Sequence, residues 1–83
     1  MTAESDEAAD YLREQGYEVV VEPCDLHAEH LARGEPGRAS FYAEGRDYYC
    51  VDLLRDGAVA WPRFAVGETE SEALIEAKRR FDR

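Results

Sequence analysis

A chain of 83 residues with ten basic against nineteen acidic side chains, net charge −9, has room for one modest core and none for a deep catalytic cleft with its supporting shell. The charge balance argues against direct binding to nucleic-acid backbones or anionic membranes, which need a cationic face, and no apolar run nears the roughly 18 residues of a membrane span. Two cysteines are too few for a disulfide framework and MTAESDEAAD lacks a basic-then-apolar leader pattern, so reduced thiols and a cytoplasmic location are expected.

In chain order, Ser5 is placed to cap a helix over Ser5–Gln15, with Asp6 and Glu7 in its first turn and Ala8, Tyr11, Leu12 and Gln15 along one stripe. Gly16 stops it. The β-branched run YEVVVEP predicts a strand over Tyr17–Glu22, ended by Pro23. Asp25 caps a short helix over Leu26–Arg33, closed by Gly34, and residues 35–37 read as a loop. A meander follows. RASFYAE at 38–44 predicts a strand. DYYCVDLL predicts the next, with Tyr49, Val51 and Leu53 on one face. Asp56-Gly57 is a hairpin signal, and AVAWPRFAV returns as a strand that Pro62 makes an edge or bulged one. Thr69 and Glu72 form a capping box that opens a helix over Glu70–Asp82, with Leu74, Ala77 and Phe81 on its apolar stripe. The expected fold is a single α+β domain over 1–83. It has a three- to four-stranded antiparallel meander, N- and C-terminal helices packed on one face, and a short helix near 26–33.

Charge is unevenly spread. The first 32 residues hold nine carboxylates against Arg13 alone, whereas acids and bases balance over 33–67. Glu7, Asp10 and Glu14 follow i, i+3, i+7 on the first helix, with Glu18 just beyond. One helical turn rises about 5.4 Å, a spacing broadly like that of phosphates along a nucleic-acid strand. Together with Glu22, Asp25 and Glu29 these residues are the candidate partner-binding surface. The expected partner is a basic protein that handles nucleic acid. An ordinary solvated helix face is the simpler reading of any such charge run.

CDLHAEH at 24–30 offers a second chemistry. Cys24, His27, His30 and the distant Cys50 could supply four ligands to a tetrahedral metal, or a redox-linked centre, although the spacing lacks a close cysteine pair. A Cys24 nucleophile activated by either histidine would sit in negative surroundings that raise a thiol pKa. No catalytic residue and no cofactor are assigned, and a non-enzymatic protein is expected. The aromatics of the meander read as sheet core and cross-strand pairs.

Two resemblances bear on these residues. The α-β-β-β-α layout resembles the double-stranded-RNA-binding domain, which implies that fold. Where that family carries a lysine cluster at the start of its last helix, this chain has Glu68-Thr69-Glu70-Ser71-Glu72, so the resemblance implies the fold without RNA binding. Residues 47–81 are similar to antitoxins of the HicB type through Gly67, Glu68, Thr69, Glu72, Ala73 and Leu74. That likeness implies a partner-binding role. The chain lacks that family's Pro-Gly segment and carries a helix and strand in front. In charge and size the chain is also similar to small phage inhibitors of nucleic-acid machinery, anti-CRISPR proteins among them.

Overall fold

The computed structural model describes residues 3–82. Among them, four helices and three strands run in the order α1 (Ala3–Glu14), β1 (Glu18–Cys24), α2 (Leu26–Ala32), α3 (Pro36–Ala39), β2 (Tyr48–Arg55), β3 (Ala58–Gly67) and α4 (Glu70–Phe81). The fold is α+β, with a three-stranded antiparallel sheet in the order β1-β2-β3 and the terminal helices on one face.

Period-two alternation in β2 builds two cores. Val51 and Leu53 point to the face covered by α1 and α4, where they meet Leu12, Ala65, Leu74 and Ala77. Tyr49 packs against the same cluster, as its position in the alternation requires. Small residues, Ala8 and Ala9 on α1 and Ala73 on α4, line this core. The two helices run in the same direction, since Ser5 meets Ser71 near their starts while Tyr11 meets Phe81 and Asp82 near the end of α4. Phe81 is ringed edge-on by Tyr11, Tyr17 and Phe64, a geometry that adds attraction beyond buried area. The other residues of β2, Tyr48 and Cys50, point to the opposite face, where Cys24 and Leu26 complete a second cluster. The short helix α2 therefore covers the back of the sheet.

Gly16 at φ +94° turns the chain from α1 into β1, a conformation that disfavours any side chain. The hairpin between β2 and β3 has positive φ at both Asp56 and Gly57, as a type I′ turn requires. Pro62 lies in edge strand β3, where the pairing skips from Leu53–Trp61 to Val51–Ala65. This bulge puts Arg63 at φ +48°, and its backbone N–H donates to Asp52 Oδ1 at 2.7 Å. At the start of α4, Thr69 Oγ1 accepts from the Glu72 N–H at 3.1 Å. Glu72 reaches back one residue further than a standard capping box, to the Glu68 N–H at 3.2 Å.

Several sequence expectations are corrected. Residues 38–44 form no strand. Pro36 at the first helical position starts α3, so 35–37 is not simply a loop, and Phe41 is left 82% exposed. Ser5 is not a cap: α1 already includes Ala3, and Ser5 is fully buried within the helix. Pro23 does not end the first strand, which runs through it to Cys24 along the other edge of the sheet.

Candidate protein-interaction surface

α1 buries Ser5, Ala8, Ala9 and Leu12, which follow i, i+3, i+4, i+7. That commitment turns Glu7, Asp10 and Glu14 to the opposite side of the cylinder, and all three are exposed. Asp10 pairs with Arg13 at 3.1 Å on the surface. Among the described residues no ion pair is recorded for Glu7, Glu14 or Glu18, so this row projects negative charge into solvent. Glu18 is exposed where β1 begins, and alternation aims it toward the back of the sheet with Glu22.

The remaining carboxylates lie behind the sheet and have local employment. Asp25 caps α2, its Oδ1 accepting from the Ala28 N–H at 3.0 Å. Glu22 and Glu29 both face Arg63, at 3.9 and 3.4 Å, and Asp52 approaches the same guanidinium at 3.6 Å. Arg63 was not a site residue by sequence. Nothing local marks it, because only the bulge at Pro62 swings it toward three acids drawn from β1, α2 and β2. The seven candidate residues thus divide into a row on α1, in which Asp10 alone is paired with a base, and a back-face group partly balanced by Arg63.

The residues of CDLHAEH have structural roles. His27 Nδ1 lies 2.8 Å from the Ala39 carbonyl and 3.0 Å from that of Tyr42, an arrangement that suits a protonated Nδ1 donating to the end of α3. His30 stacks on Tyr42 with ring centroids 5.6 Å apart, and its Nδ1 meets Glu35 Oε1 at 3.2 Å. That hydrogen bond holds the Glu35 carboxyl below its ordinary pKa. Among the described residues, no group of three or more His, Cys, Asp or Glu is placed to hold a metal ion. Cys24 and Cys50 do come together. They are diagonal neighbours on the back of β1 and β2, and the Cys24 thiol reaches the Glu22 carbonyl at 3.6 Å. Burial, then the neighbouring Cys24, pushes Cys50 up to about 12, and burial also raises Cys24.

Neutral, enclosed thiols are poor nucleophiles. At about pH 8 the thiolate fraction of Cys50 is on the order of one in ten thousand. Iodoacetamide is therefore expected to label native protein at Cys50 far more slowly than urea-unfolded protein, as followed by intact-mass spectrometry. Equal rates in the two states would show that the thiol is not held as described.

No family of related sequences, no characterised protein and no solved structure matches this chain. Among the described residues no helix is long and apolar enough to cross a membrane.

Proposed function

We propose that this chain is a non-enzymatic acidic interaction module that binds a basic, nucleic-acid-handling protein and acts on it as an inhibitor or antitoxin. The reading rests on the α1 row: three exposed carboxylates one turn apart, opposite the buried stripe, with only Asp10 neutralised nearby. Such a row sets up a field like that of a phosphate strand and competes for a groove that would otherwise hold one. Glu18, Glu22, Asp25 and Glu29 add to the regional field from behind the sheet. Association driven this way is fast and falls steeply with salt.

The test is affinity capture from source cells with two baits, the wild-type chain and the Glu7→Gln, Asp10→Asn, Glu14→Gln triple variant. All three side chains are exposed, so the variant should melt like wild type. The expected result is a basic protein retained by the wild type, released by raised salt, bound at least about tenfold more weakly by the variant, and freed of nucleic acid by the module. Identical captures with both baits would refute the proposal.

A further inference from the structure

α2 is too short to cover the back of the sheet. Its seven residues span roughly 10 Å, whereas the eight of β2 span about 27 Å. Leu26 seats it over the end of the sheet that holds Cys24, Tyr48 and Cys50. The other end stays open. There the register sets Glu18, Leu54 and Val59 in one row across the three strands, and Val20 opposite Asp52 in the next. Among the described residues, Val20, Leu54 and Val59 pack into neither core cluster, and Val59 is 54% exposed.

The rim of this aliphatic patch is acidic. Glu18 and Glu22, both exposed, flank Val20 on the same face of β1. Asp52 and, from α2, Glu29 share Arg63 with Glu22. These four carboxylates meet two bases, Arg63 and, at 3.8 Å from Glu29, Arg33, so two negative charges are left over. The other arginines of the adjoining cleft, Arg38 and Arg80, are matched by Glu35 and Glu76 and cancel none of this excess.

The sign of the rim selects what can cover the patch. It repels nucleic acid, an anionic membrane and a second copy of this chain, which carries −9 itself. Pro23 and Pro62 obstruct an added strand at the two edges, so the open face rather than an edge is the place of contact. Helices already pack on both faces of this sheet. From these features we infer that the open half of the back face docks a basic amphipathic helix of a partner protein. Its apolar stripe lies on Val20, Leu54 and Val59, and its lysines or arginines reach Glu18 and Glu22, continuing the layer that α2 begins. This surface lies across the sheet from the α1 row and does not rest on the reading of that row.

The probe is an amphipathic helical peptide of about 18 residues made only of leucine and lysine. It is titrated into the isotopically labelled chain near physiological salt and followed by amide NMR shifts. Saturable shifts centred on Glu18, Val20, Asp52, Leu54 and Val59 are expected, with a Kd below about 100 μM. A scrambled peptide of the same composition should bind at least about tenfold more weakly, because its leucines no longer share a face. The Glu18→Lys, Val59→Lys variant changes two exposed side chains, should melt like wild type, and should lose at least about tenfold in affinity. The Glu7→Gln, Asp10→Asn, Glu14→Gln variant should bind the peptide within about twofold of wild type, which separates this surface from the α1 row. Shifts centred on α1 or on Phe41, shifts that never saturate, equal affinity for the scrambled peptide, or unaltered affinity in the Glu18→Lys, Val59→Lys variant would each overturn the inference.

Discussion

Replacing Gly67 by alanine is expected to destabilise the protein by about 3 kcal/mol, because the new methyl group has nowhere to go. A Cβ built there falls 2.5 Å from the Ala73 backbone nitrogen and 2.9 Å from the Glu72 carbonyl carbon. Both atoms belong to the first turn of α4, so no flexible side chain can step aside. The close approach is set from two directions. Gly67 is the last residue of β3, in register with Tyr49 of β2, while Thr69 and Glu72 fix the helix start immediately after it. Relief requires lifting α4 from the sheet, which disturbs Ala73, Leu74 and Ala77 in the core. For a domain of this size the loss corresponds to a fall in melting temperature on the order of 15 °C. Gly37→Ala is the control. It lies in α3 with ordinary φ and open space around it, and should be neutral or slightly stabilising. Urea denaturation of both variants reads the difference, and equal midpoints would show that the β3–α4 junction is looser than described.

Leu53→Ala should be costlier still, by about 4 kcal/mol, whereas Leu54→Ala should lose only about 1 kcal/mol. The two leucines are adjacent in sequence and identical in chemistry. Leu53 is fully buried on the face that carries α1 and α4, flanked across the sheet by Val19 and Trp61. Truncating it leaves a cavity bounded on both sides by paired strands, which cannot close in. Leu54 points to the back face beside Glu18 and Val59, beyond the cover of α2, and is only half buried. Similar losses at the two positions would indicate a different pairing register, since a one-residue slip exchanges the two faces.

Much of this architecture was legible locally. Gly16 between helix and strand, the Asp56-Gly57 turn, the Thr69 cap and the Tyr49-Val51-Leu53 face all arise from residues within a few positions of one another. The failures were of two kinds. RASFYAE reads as a strand through its aromatics, but β2 already has a partner on each side, and the free edges of β1 and β3 carry Pro23 and Pro62. No good ladder position remained, so Pro36 turned the segment into a helical crossing that brings Tyr42 to His30. The other failure concerned charge. The sum over 33–67 is zero, which conceals that Arg33, Arg38 and Arg63 gather at one cleft with Arg80. Likewise Glu22 and Glu29 count by sequence toward one acidic N-terminal surface, yet the bulge sets Arg63 against both of them. Sequence spacing predicts which face of one helix a charge occupies. It does not predict which distant element will neutralise it.

The two edge prolines also bear on how this protein behaves among copies of itself. A short sheet with two open margins is a template for polymerisation, because each margin offers a row of unpaired donors and acceptors to an incoming chain. Pro23 deletes a donor from one margin, and the Pro62–Arg63 bulge breaks the regular spacing of the other. Growth by added strands therefore meets a gap on either side. Mutual repulsion between chains of net charge −9 opposes such growth as well.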